Sequence, residues 1–214
     1  MEILKPQPNS QIGIYAISKP VKKYSEIKNL LPKFIEFVNE GKFRDKEKGF
    51  IGVHHSQLEE KPFSFFILNK QLVGSAKSKR GTKDNYNNFF FPSQVIINPE
   101  ILEAPEKIDR QVPKSNIVRG ENGQIQRLIT YKTESVSNKI SIKEGCISFP
   151  HKDEKYVERY FRIKVRYQIV RKLFGIIPLM ITKIEWCEGL KAHAFQHEID
   201  HSNGKNIYYG PNKS

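Results

Sequence analysis

The segment His197-Glu198-Ile199-Asp200-His201 is the strongest constraint on how this chain can fold. Residues four apart lie on one face of a helix. On a helix, His197 and His201 reach one metal ion from the same side, and Glu198 sits beside them as a base for the water that such an ion activates. Neither Pro nor Gly occurs between Leu190 and Ser202, and Ala192, Ala194 and Phe195 suit a helix that is packed. The site needs a third ligand. Ser202 to Ser214 contain no His, Cys, Asp or Glu, so that ligand lies upstream.

This distribution excludes the common metalloprotease patterns. Metzincins carry a Gly seven and a His ten residues after the first His. Gly204 fills the first position, but Ile207 occupies the second. Thermolysin-like sites need a downstream Glu, and no acid follows the motif. The upstream candidate is Cys146, in Lys143-Glu144-Gly145-Cys146-Ile147-Ser148-Phe149-Pro150. A thiolate is a strong ligand for iron or zinc. Gly145 lets the backbone come close, and Ile147 offers its N–H toward whatever the ion binds. The same segment also reads as a strand end with a buried cysteine. Cys187, between Trp186 and Glu188, reads as structural.

At 214 residues, 38% apolar and 28% charged, the chain suits one domain over 1–214 with polar insertions near 70–88 and 105–140. No apolar run approaches the ~18 residues of a bilayer span, so no membrane role is expected. Met1-Glu2-Ile3-Leu4-Lys5-Pro6 lacks a secretory or transit pattern. A cytoplasmic protein is expected, or an organellar one if a presequence has been removed. The excess of 36 Lys and Arg over 23 Asp and Glu gives a net charge of +13. That balance favours acidic partners such as RNA, although solvated lysines give the same composition.

Hydrophobic periodicity organises the rest. Ser25 to Gly41 reads as an amphipathic helix with Ser25 as N-cap and Pro32 as a kink or a delayed start. Phe63–Leu68 and Phe89–Ile97 read as strands, the second closed by Asn98-Pro99. Between them, Lys70–Asn88 is a basic polar loop. Pro105 to about Lys139 is a second polar stretch with a possible strand at Gln126–Tyr131. Tyr160–Val170 and Ile176–Trp186 read as strands, and a helix runs from Gly189 to His201. The expected class is α+β, mostly antiparallel sheets around a C-terminal helix carrying the histidines.

Two of these segments together resemble the peptide deformylase family. That family carries Gly-Leu-Ala-Ala-x-Gln, Glu-Gly-Cys-Leu-Ser and Gln-His-Glu-x-Asp-His in this order. Glu144-Gly145-Cys146-Ile147-Ser148 matches the second nearly residue for residue, and Gln196-His197-Glu198-Ile199-Asp200-His201 matches the third in full. Ile97-Asn98-Pro99-Glu100 resembles the strand before the second motif. The first motif departs from the pattern. Gly52-Val53-His54-His55-Ser56-Gln57 keeps the Gly and the Gln but has two imidazoles in place of Ala-Ala. They would push the loop outward or add polar groups to the cleft.

The resemblance implies metal ligands Cys146, His197 and His201 around one Fe²⁺, replaceable by Zn²⁺, Ni²⁺ or Co²⁺. It implies Glu198 as the acid–base group, and Gln57 and the Ile147 N–H as donors to the oxyanion. Glu144, Asp200 and Arg159 are candidates for orienting the ligands. Gly52, Ile51, Ile142, Leu190 and His193 are expected to line the substrate pocket, where His193 is a polar exception. The implied reaction removes the N-formyl group from N-formylmethionyl peptides. A monomer is expected, with ribosomal RNA a possible partner of the basic loop through Lys77, Lys79, Arg80 and Lys83. The alternative is a catalytically impaired or substrate-shifted relative that binds peptides or another N-acyl group.

Overall fold

The polypeptide is built around strand β2 (Phe65–Asn69), whose five side chains are all buried. A strand buried on both faces needs a layer on each side. In the computed structural model, which describes residues 17–40, 52–59, 61–69, 93–119, 124–149, 152–173 and 177–208, those layers are two helices. Phe65 and Ile67 pack on helix α1 (Leu30–Glu40), while Phe66 and Leu68 pack toward the terminal helix α2 (Gly189–Ser202).

Between the helices lies a five-stranded antiparallel sheet in the order β1 (Gly52–His54), β2, β3 (Ser93–Glu103), β8 (Arg162–Leu173) and β9 (Ile177–Glu188). Two further antiparallel pairs are β4 (Lys107–Arg119) with β5 (Ile125–Ser137), and β6 (Lys139–Glu144) with β7 (Lys155–Tyr160). The class expected from the sequence, antiparallel sheets with a C-terminal helix, is the one observed.

Helix α1 begins at Leu30, not Ser25. Tyr24–Glu26 forms a separate 3-10 turn, where the Glu26 carboxylate accepts hydrogen bonds from the backbone of Lys22 and Lys23. Pro32 therefore falls in the first turn of the α-helix, where a missing N–H costs nothing. Leu31, Phe34 and Val38 then recur at helical spacing and are buried.

Strand β3 also differs from expectation. Asn98-Pro99 does not end it. Pairing with β8 shifts between Ile97 and Glu100, and the strand continues to Glu103. Asn98 takes φ 48°, a left-handed conformation that Asn tolerates better than most residues. Its side chain holds the bulge in place. Oδ1 accepts from Val21 N at 2.8 Å, and Nδ2 donates to Val21 O at 2.7 Å and to Gln168 Oε1 at 2.8 Å.

The polar stretch after Pro105 is a long hairpin, in unbroken register from Lys107 opposite Ser137 to Arg119 opposite Ile125. Of its described side chains, only Ile108 is buried. Its base is anchored by Asn138, which is fully buried. Asn138 Nδ2 donates to Pro105 O at 2.6 Å and to Arg162 O at 2.8 Å, and Oδ1 accepts from Arg162 N at 2.8 Å. The segments around Lys70–Asn88 and Ile51 lie outside the described residues.

Replacing Asn138 with Ala strands three backbone groups in a partly buried setting, so the variant should lose about 2–3 kcal/mol of stability. Urea unfolding measures this. A loss under about 1 kcal/mol would show that the hairpin base does not depend on this side chain.

Candidate metal centre

Helix α2 leaves strand β9 without a linker. Gly189 makes the corner at φ 56°, a conformation that favours glycine, and its N–H donates to Phe161 O at 2.8 Å. One side of the helix, including Ala192, Phe195 and Ile199, packs on the sheet. Helical spacing places His193, His197 and His201 along another face.

Cys146 meets that face from the turn after β6. Phe149 N donates to Cys146 O at 2.9 Å and closes the turn. Cys146 Sγ lies 3.4 Å from His201 Nε2, which is 3.1 Å from His197 Nε2. The ligand atoms of Cys146, His197 and His201 all fall within 4.8 Å of one another. One sulfur and two imidazole nitrogens converging at this separation match the donor chemistry of iron or zinc.

A buried ionic network orients the histidine. Arg159 grips Glu144 with two hydrogen bonds, Nε to Oε1 at 2.9 Å and Nη2 to Oε2 at 3.0 Å. Arg159 Nη1 also donates to Asp200 Oδ2 at 2.6 Å. Glu144 Oε2 lies 3.1 Å from His197 Nδ1. A carboxylate accepts only, so Nδ1 carries a proton, and Nε2 is the nitrogen turned toward His201 and Cys146, the one left to ligate a metal. Burial raises the Glu144 pKa, but hydrogen bonds from His197 and Arg159 outweigh it and hold the carboxyl at about 2.

Glu198 is buried with Oε2 unpartnered among the described residues. Burial lifts its carboxyl to about 7, against the opposing influence of His197. Gly52 stands against it. A Cβ at Gly52 would come within 2.6 Å of Glu198 Oε1, so a larger residue here would displace the Glu198 carboxyl from its place. Gln57 completes the group. Its Oε1 accepts from His54 N at 2.7 Å, and its Nε2 donates to Ser148 Oγ at 2.8 Å and faces Cys146 Sγ at 3.8 Å. Ile147 follows the sulfur directly in the same turn.

The remaining expected residues scatter more widely. Leu190 is 41% exposed and Ile142 is half-buried. His193 is buried, its Nε2 unpartnered among the described residues. Sequence reasoning passed over one member of the cluster, Ser148. Its place as the last residue of the second motif, two after the candidate thiol, was the available signal.

The His54-His55 pair neither pushes the loop outward nor joins the three-donor group. Both rings are buried. His54 Nδ1 caps the turn by accepting from Ser56 N at 3.0 Å, and its ring stacks near Phe66. His55 stacks on Phe65 with centroids 4.6 Å apart, and its Nδ1 accepts from Phe63 N. The aromatic layers of the core absorb both imidazoles.

The sequence profile of the polypeptide deformylase family matches residues 13–211. The chain belongs to that family. A peptide deformylase of Thermotoga neapolitana is 36% identical over 109 residues, 51% of this chain and 42% of that protein. One from Thermus thermophilus is 31% identical over 111 residues, 52% of this chain and 51% of that protein. The chain thus spans about half the length of the curated relatives it matches. The solved peptide deformylase of Thermotoga maritima shares the fold with a TM-score of 0.53, at 24% identity over 98% of this chain and 97% of that one. That of Ehrlichia chaffeensis gives 0.55 at 20% identity, over 98% of this chain and 87% of that one.

Burial lowers the pKa of His54 to about 3, with His55 adding to the effect, and burial lowers that of His55 to about 4. An unfolded histidine titrates near 6.5. Between these values the unfolded chain binds more protons than this deformylase-family fold, so stability is full above about pH 6.5 and falls as pH drops. From pH 7 to 5 the pair should contribute a loss on the order of 3 kcal/mol. Urea unfolding at both pH values, on the native chain and on H54A/H55F, checks this. Equal pH slopes would remove the histidines as the cause.

Proposed function

We propose that this chain hydrolyses the N-formyl group from N-formylmethionyl peptides. Membership of the deformylase family supports the reading. The observation that carries it is the convergence of Cys146, His197 and His201 next to the buried carboxylate of Glu198.

Cys146, His197 and His201 would hold one divalent ion, Fe²⁺, with Zn²⁺, Ni²⁺ or Co²⁺ able to replace it. When bound, that ion supplies a Lewis acid that polarises the formyl carbonyl and acidifies water. Glu198 takes the water proton and returns it to the leaving amine as the C–N bond breaks. Its carboxyl near 7 suits a group that must both accept and release a proton near neutral pH. The Gln57 amide and the Ile147 N–H donate to the oxyanion as it forms. Formate and a free N-terminal amine are the products. Gly52 leaves room for Glu198, and Glu144 with Arg159 keeps His197 in its ligating orientation.

Burial of His54 and His55 in the core removes one of the sequence grounds for the alternative of an impaired relative; the absence of an Arg in 151–155 and the polar His193 are the grounds that stay. The basic residues Lys77, Lys79, Arg80 and Lys83, outside the described residues, are the segment by which ribosomal RNA would be met.

The metal-loaded, anaerobically handled protein should release formate from formyl-Met-Ala-Ser. Glu198→Ala should lower kcat by roughly 10²–10⁴ with metal content unchanged. Full metal loading of the native chain without turnover would contradict the proposal.

A further inference from the structure

Gln57 is buried in a setting that distinguishes the two ends of its carboxamide. The oxygen and nitrogen ends are nearly the same size, and a half-turn of the amide exchanges them. Only the nitrogen end can donate. Two neighbours of opposite character set the choice. His54 N–H can only donate, and it meets Oε1 at 2.7 Å. Ser148 Oγ lies 2.8 Å from Nε2 and accepts one of its two hydrogens. The second N–H is then left facing the Cys146 side of the site, with Nε2 3.8 Å from the sulfur. Gln57 and Ser148 are each only 1% exposed, so water does not compete for these bonds.

We propose that Ser148 is a positioning residue that locks the Gln57 amide with its second N–H aimed along the Cys146 side of the site, where the sulfur accepts it only weakly at 3.8 Å. This inference rests on the deformylase reading for its kinetic consequence, though not for its geometry. Cys146 and Ser148 belong to one turn, closed by the bond from Phe149 N to Cys146 O. The element that presents the sulfur therefore also fixes the donor beside it. Without the hydroxyl, Nε2 keeps only the long, weak bond to Cys146 Sγ, and the amide is held chiefly through its oxygen. An oxyanion donor contributes only when its aim is set before the reaction.

Ser148→Ala should lower kcat for formyl-Met-Ala-Ser by roughly tenfold to a hundredfold, with KM within about twofold. Ser148→Thr, which restores a hydroxyl, should recover most of the rate. Ser148→Ala should add nothing in a Gln57→Ala background. A second readout needs no turnover. In nitrogen-15 NMR spectra of the metal-free protein, the Gln57 side-chain amide protons should exchange slowly with solvent in the native chain and in S148T, and much faster in S148A. Unchanged amide exchange in S148A overturns the proposal, as does a further rate loss when S148A is added to Q57A. Absence of turnover in every variant counts against the deformylase reading alone, and the amide exchange then decides the role of Ser148.

Discussion

The site depends on one buried carboxylate. Glu144 lies between the Arg159 guanidinium and the Nδ1 edge of His197. A carboxylate in such a place is costly unless its charge is matched and its oxygens are hydrogen-bonded. Arg159 meets both conditions with a two-point grip, and its remaining donor holds Asp200 on the helix. Strands β6 and β7 are thereby fastened to α2 by charge. The proton on His197 is forced to the nitrogen away from the site. Ligand geometry and the docking of the small sheet on the helix are thus one interaction.

The larger sheet supplies the other half of the site. Strand β2 is apolar on both faces and requires a helix on each. The face carrying Phe66 and Leu68 packs against Ala192, Ala194 and Phe195, which fixes the height of α2 over the sheet. Strand β1 then brings Gly52 against Glu198, and the following turn brings Gln57 to Cys146. Four chain segments far apart in sequence meet because each is tied to α2 or to the sheet beneath it.

Local patterns made much of this readable from the sequence. The histidines four apart require a helix, and the missing downstream ligand directs attention to Cys146. The core strands announce themselves by apolar runs. The failures have physical causes. Asn98-Pro99 has the chemistry of a turn, but tertiary hydrogen bonds to Val21 and Gln168 make it a bulge within a continuing strand. Among its described side chains the β4–β5 hairpin buries only Ile108, so these show none of the alternation by which strands are recognised. His54-His55 looks like a disturbance of the cleft. Stacking on Phe66 and Phe65 of the neighbouring strand β2 turns both rings inward, a pairing that is set by strand register and not by the motif itself. Ser148 is a small polar residue whose importance lies wholly in what it touches.

The central claim is a metal held by one thiolate and two imidazoles. X-ray absorption spectroscopy of the metal-loaded native chain tests it most directly. With zinc loaded, the account predicts one sulfur at ~2.3 Å and two imidazole nitrogens at ~2.0–2.1 Å around the ion, with the sulfur contribution lost in Cys146→Ser. A first shell of only nitrogen and oxygen in the native protein, or a sulfur that persists in Cys146→Ser, would contradict it.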